Sequence, residues 1–350
     1  MLSITIGLII IAAVIGLYMA QKQIYNSSNS QAAIQNSDNA ISALVIPIVR
    51  GAGFAGCGSV SAASAPLLVT LNTGAPNPLG NLNAVIGFVY GFEAAGTAPT
   101  NTFAIPTLDP ANDSSAGDWT PTLDTSLVGD VEPGSDVLVV LGPVAGAAPT
   151  GLTAAIVKGS LAALAVQNAS AFSAGQVAAI SDCGKTIIFG VTGVATNNIA
   201  HGPSGGPEGN AVGTFTVGFD AGAQVIPLQQ TALFVGQGTD GHSALMIGVY
   251  TSGAWTVTPL IPGVDSMQVL YGVGTAGTYA VNDYVTAAQV TDWTSVYAVR
   301  ISLLIEGERQ STSGHAAAGS TFNLLGTTVT VPADGILRHT EEINVNLRNL

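Results

Sequence analysis

Four histidines, two cysteines and a thin scatter of carboxylates are the groups through which this chain could do chemistry. A transition-metal site needs nitrogen or sulfur ligands at close spacing, such as His-x-x-x-His on one helix face. His201, His242, His315 and His339 stand far apart among glycines and serines, with no His-Glu pair beside them, so the spacing predicts no metal ligands. Calcium could draw oxygens from the Gly-Thr-Asp-Gly-His run at 238–242, or from Asp109, Asp113 and Asp118. Neither group carries the alternating carboxylates of a dedicated loop, and turn chemistry is the expected role. Ser59 and Ser181 lack the Gly-x-Ser-x-Gly elbow that exposes a nucleophile. The glycines and prolines of 202–209 have neither the lysine nor the strand-to-helix setting of a phosphate loop, and read as a surface turn. No catalytic constellation and no cofactor follow from these residues, and the chain is not expected to be an enzyme.

Cys57 and Cys183 are the only cysteines. Without a Cys-x-x-Cys they fit neither a redox pair nor a zinc knuckle. A disulfide is the simplest reading in a chain that crosses into an oxidising compartment, and it would stabilise by roughly 3–5 kcal/mol. A free catalytic thiol would need a poised histidine. Arg300 interrupts the apolar run Val296–Leu304. Strand alternation sets it opposite Val299 and Ile301, where an exposed pair is expected; a buried or interface pair with Asp292, Glu306 or another carboxylate is the alternative. Trp255, Trp293, Tyr271 and Tyr297 fall in strand patterns and are expected in the core.

The elements that must position these groups begin with an uncharged stretch from Met1 to Gln21. Leu2, Ile6, Ile9, Ile10, Val14 and Leu17 belong to an apolar run about 20 residues long, enough for a helix to span a bilayer. No Lys or Arg precedes it, which speaks against a signal peptide. From Lys22 the chain stays free of Pro and Gly until Pro47, and Ile24, Ile34, Ile41, Leu44, Val45 and Ile48 recur among polar residues. This pattern predicts an amphipathic continuation of the same helix over 22–50, about 70 Å of rod in all. The glycines at 51, 53, 56 and 58 stop it. An ordinary membrane anchor is the competing reading of the first half alone.

Beyond residue 50 the sequence reads as strands and turns. The expected strands are Leu67–Leu71, Val85–Tyr90, Val137–Leu141, Thr186–Val191, Thr214–Phe219, Val264–Val273, Ser295–Leu304 and Thr327–Val331. Residues 150–165 fit a short helix or a strand pair. Residues 73–83 and 94–124 read as long loops. The fold class is therefore α+β: one long helix over 1–50, with 1–21 apolar and 22–50 amphipathic, then a large, mainly antiparallel β domain over 51–350. Two β modules, about 51–200 and 201–350, are expected within it. Only 8% of residues are charged and the net charge is −13, so a phosphate backbone would find few cations to bind. Nucleic acid is not an expected partner.

Several segments resemble the PilW-like minor pilins of type IV pilus systems. Met1–Ile10 resembles the start of that family's transmembrane helix. The run Ile48-Val-Arg-Gly-Ala-Gly-Phe-Ala-Gly-Cys57 resembles its helix exit and first cysteine. Pro133-Gly-Ser-Asp-Val-Leu-Val-Val resembles its Gly-Ser-Asp strand, and Ile180–Phe189 the strand bearing its second cysteine. Pro262–Gly272, Asp292–Leu304, Asp334-Gly-Ile-Leu-Arg338 and Val345–Asn349 follow in the family's order, and this C-terminal third is the closest. The resemblance implies a pilin-type fold, a minor pilin that aids pilus assembly, and other pilin subunits as partners. It also implies residence in the inner membrane before assembly and in an extracellular filament afterwards. A pilin precursor's basic leader and early Glu do not precede or follow Met1 here, so the sequence is expected to begin inside the mature helix. Two alternatives remain: the main subunit of a homopolymeric filament, and a membrane-anchored adhesin or carbohydrate-binding surface protein.

Overall fold

The computed structural model describes residues 2–56, 67–69, 88–105, 115–182, 184–205, 209–251, 253–275, 278–307 and 320–347. A single helix, Leu2–Arg50, runs 49 residues without interruption. Its side chains change character along the way. Ile34, Ile41, Val45 and Val49 are buried, and their spacing of seven, four and four keeps them on one stripe. The pattern read from sequence needs two adjustments. Leu44 is 42% exposed whereas Ile41 is fully buried, because an i,i+4 stripe carries the contact through Val45 and Val49 and leaves Leu44 on the flank. Docking also begins near Ser30, since Ile24 and Tyr25 still face outward. Pro47 sits inside the last turns, and the Gly51 N–H donates to its carbonyl at 2.9 Å before Gly53 turns the chain away with φ +76°.

The β region is built from two main sheets. Among the described residues the larger has ten strands around the long strand Gln224–Gln237. The first half of that strand pairs with Gln176–Ser181 and its second half with Ser243–Thr251, while Val137–Pro143 lies along its other side. The sheet continues outward through Val89–Ala94 on one flank and Thr186–Val191 on the other, with Leu67–Val69 parallel to the latter. The smaller sheet is an antiparallel array of Val281–Val285, Val264–Gly274, Val296–Glu306 and Arg338–Asn346. Two three-stranded patches complete the described residues: Gly193–Ala195 with Asn198–Ala200 and Leu164–Ala165, and Thr321–Leu324 with Thr327–Thr330 and Thr102–Ala104. The expected break near residue 200 does not coincide with a break between sheets. The larger sheet draws strands from both sides of it, and the smaller begins at Val264.

One core joins the three layers. Ile34, Ile41, Val45 and Val49 of the helix share one buried cluster with Val139, Leu141 and Phe234 of the larger sheet and Val269, Ile301 and Ile343 of the smaller. A second cluster lies under the far end of the larger sheet, around Ile180, Phe189 and Phe215. It explains one correction. Residues 214–219 do not form a strand: Phe215 stacks on the His201 ring at 4.3 Å, and Phe219 makes only a single bridge to Ile156. Packing of the two rings outweighs ladder formation there. Residues 150–165 contain no helix; they hold the two-residue strands Thr150–Gly151 and Leu164–Ala165 at their ends and isolated bridges at Leu152 and Ile156.

Candidate assembly interface

Between Ile4 and Tyr25 the helix presents thirteen large apolar side chains that are 51–70% exposed. Ile6, Ile9, Ile10, Val14 and Leu17 are among them, and Leu2 lies on the same helix. They occupy every face of the rod. A helix apolar all round must be covered by lipid or by protein. At roughly 1.5–3 kcal/mol for each side chain, leaving this surface in water would cost on the order of 20 kcal/mol or more. The most apolar window has a mean hydropathy of 2.2 and none of it is buried within the chain. Where the helix leaves the β domain, a groove of about 710 Å³ opens between Ile24, Ser27 and Gln31 on the helix and Phe322, Ile336 and Leu337 on the domain.

At the foot of that groove lies Arg338, with only 3% of its side chain exposed. Its Nε donates to Asp265 at 2.6 Å, and its two Nη groups donate to Asp334 at 2.8 and 2.7 Å. Glu306 stands 4.0 Å away. Burial alone would raise the Asp334 carboxyl, but hydrogen bonds from Arg338 and the Ile336 N–H hold it below the ordinary carboxylate range. Arg338 is pushed up despite burial by its bonds to Asp334 and the charge of Asp265. From the sequence, Arg300 is the arginine expected in a pair, exposed or alternatively buried, and Arg338 carries no such expectation. Arg300 pairs at the surface with Glu342 at 3.3 Å and lies over the Tyr284 ring at 4.1 Å, matching the expected exposed pairing. The available signal was Asp334 four residues before Arg338, at a turn into a strand.

The Gly-Ser-Asp run forms the junction of the two sheets. Asp136 accepts from the Ala94 N–H at 2.9 Å in one sheet and from the Val269 N–H at 2.8 Å in the other. Its own N–H donates to Met267, and Gln268 Nε2 donates to the Gly134 carbonyl at 2.9 Å. Ser135 Oγ accepts from the Val235 N–H at 3.2 Å, while its carbonyl accepts from Trp119 Nε1 at 2.9 Å. Gly134 has φ +80°, and the Phe103 ring fills the place where a Cβ would stand. Burial pushes the Asp136 carboxyl up to about 7 against the pull of its two N–H donors. Burial, with Asp136 adding to it, pushes Glu93 up to about 9. The Tyr271 hydroxyl is also raised, by burial first and then by the two carboxyls.

The remaining sequence candidates are dispersed. Cys57 and Cys183 lie outside the described residues, as do Asp109, Asp113, His315 and Ser59. Gly56, beside Cys57, is so close to Ser181 that a Cβ on it would fall 2.4 Å from the serine's Cβ. His201 is buried with its ring nitrogens 2.7 and 2.9 Å from the carbonyls of Gly213 and Ala162. In the 238–242 run the Asp240 carboxylate accepts from the His242 N–H, and Asp118 accepts from Ser115: both are turn contacts. Tyr271 and Tyr297 are buried, whereas Trp255 and Trp293 are partly buried against the core.

Residues 232–349 match the family model of PilW, the type IV pilus-assembly protein W. Over that stretch the chain is PilW-like. The match takes in the second half of the central strand, the whole smaller sheet and the Arg338 cluster, and ties the chain to type IV pilus assembly. The helix exit and Gly-Ser-Asp segments that resemble the family lie before the matched residues. No curated protein and no solved structure matches the chain.

Proposed function

We propose that the chain is a structural subunit of a type IV pilus-like filament, acting as a minor pilin that aids assembly rather than as a catalyst. The observation that carries this reading is the continuity of the helix: one half is fixed in the β domain's core, and the other projects as an apolar rod with no cover of its own. In the inner membrane lipid would cover that rod. On assembly, the equivalent helices of other pilin subunits would replace lipid, with the β domain facing outward. The PilW match supports the pathway, and the unbroken helix joining rod and domain supports a role in which position along a filament matters.

Cys57 and Cys183 are proposed to form a disulfide near the helix exit, supported by the contact between neighbouring Gly56 and Ser181. Thiol alkylation followed by mass measurement should find both cysteines blocked without reductant; two free thiols would remove the bond from the account. The function is tested on filaments sheared from cells. The chain should be present at low copy number, and deletion of residues 2–21 should remove it. Equimolar occupancy would make it the main subunit instead. Presence in membranes but never in filaments would favour an anchored adhesin and contradict the proposal.

A further inference from the structure

A carboxylate sits on the docked face of the helix where a hydrophobic residue would be expected. Asp38 lies four residues after Ile34 and three before Ile41, both buried, so it faces the β domain. One of its carboxylate oxygens is buried and has no hydrogen-bond partner. Opposite it runs the strand Arg338–Asn346, whose alternate residues His339, Glu341, Ile343 and Val345 share one face. Ile343 and Val345 are buried in the common core, and His339 and Glu341 continue the same face to its margin. One ligand atom from each of Asp38, His339 and Glu341 lies within 4.8 Å of the other two.

Two carboxylates, one from the helix and one from the strand, thus lie in one cluster with a histidine at the helix–strand contact. Burial pushes both carboxyls up, Asp38 pushes Glu341 further, and His339 is the cationic group that opposes this at each. We propose that Asp38, His339 and Glu341 form a divalent transition-metal site of the zinc class that fastens the docked half of the helix to the last strand. An imidazole nitrogen with two carboxylate oxygens suits zinc rather than calcium, which takes six to eight oxygens. Three protein ligands leave a fourth position for water. Metal–ligand bonds of about 2.0–2.2 Å require ligand atoms roughly 3.4 Å apart, so metal binding would draw the three groups in from a spacing of up to 4.8 Å. Spacing along the sequence does not reveal such a site because its ligands come from two elements: His339 and Glu341 are two apart on a strand, and Asp38 is contributed by the helix.

The test is a Co²⁺ titration of the full chain in detergent micelles, read by visible d–d absorption, with thermal unfolding under excess Zn²⁺ in parallel. The expected result is a tetrahedral-type band that saturates at a single equivalent, and a Tm that rises with Zn²⁺ but not with Mg²⁺. Asp38→Asn and His339→Ala should each weaken metal binding by more than about tenfold. His339 is exposed, so its variant retains the fold, and the metal-free Tm of each variant verifies this. Glu342→Gln, a neighbouring carboxylate outside the cluster, should leave binding unchanged. The proposal is overturned if no band forms below millimolar Co²⁺, or if band and Tm shift survive in His339→Ala, which would place the metal elsewhere.

Discussion

The two halves of the helix share a backbone and differ in what they ask of their surroundings. From Ile4 to Tyr25 apolar side chains face every direction and none is buried, whereas from Ser30 onward a narrow stripe is sealed and the flanking residues, Leu44 included, stay outside it. Backbone hydrogen bonding cannot distinguish them, since both are α-helix. The distinction lies in how wide an apolar arc each presents. A stripe is satisfied by one neighbouring sheet; a full cylinder needs lipid or several rods around it. The second half therefore stabilises this chain's own fold, and the first half has energetic value only in company.

The most severe way to break this comparison is to place the same charge on each half. Ile41→Asp should prevent stable folding of the β domain, because it buries an unpaired carboxylate at a fully enclosed position. Ile10→Asp should leave the domain's Tm unchanged and abolish filament incorporation. Cutting the Arg338 cluster comes next. Arg338→Ala strands the Asp265 and Asp334 carboxylates and should cost about 3–5 kcal/mol in chemical denaturation, loosening the base of the helix groove. Smaller substitutions sharpen the stripe itself: Ile41→Ala should lose about 3 kcal/mol and Leu44→Ala under about 1 kcal/mol, despite their closeness in sequence.

The sheet junction, remote from the exposed rod, should show its own signature. The folded-state values of Glu93 and Asp136 are raised, so the folded chain holds more protons than the unfolded one above the ordinary carboxylate range. Their contribution is full at acid pH and is lost as pH rises through about 7 and then about 9. Glu93→Gln should flatten the fall in stability between pH 5 and pH 9 by on the order of 2 kcal/mol, measured by urea unfolding at each pH. An unchanged slope would contradict the junction's description. A similarly small effect belongs to Arg300→Ala, which should shift stability by no more than about 1 kcal/mol because its partner Glu342 is more than half exposed.

Much of this architecture is legible in the sequence because it depends on composition and period. The uncharged run, the long gap without Pro or Gly, and β-branched strands such as Thr186–Val191 and Val264–Gly274 specify their elements locally. What escapes sequence reading depends on pairing across long separations. The central strand Gln224–Gln237 includes Pro227 and a glycine, and becomes a strand through its neighbours on both sides. Asp136 looks like a turn residue until Ala94 and Val269 are brought to its two oxygens. Arg338 resembles any surface cation until Asp265, distant in the chain, closes over it. Among the groups suited to chemistry, the wide spacing of the histidines along the chain says nothing of Asp38, which reaches His339 only through the fold.

The central claim is that the uncovered rod is made to pack against other rods. A benzophenone amino acid introduced at Ile10 and photolysed in intact filaments tests it directly. The account predicts covalent adducts joining this position to the apolar helix of another pilin subunit, identified by peptide mass. Adducts to lipid alone, with the chain never crosslinked to a second helix in any filament preparation, would contradict it.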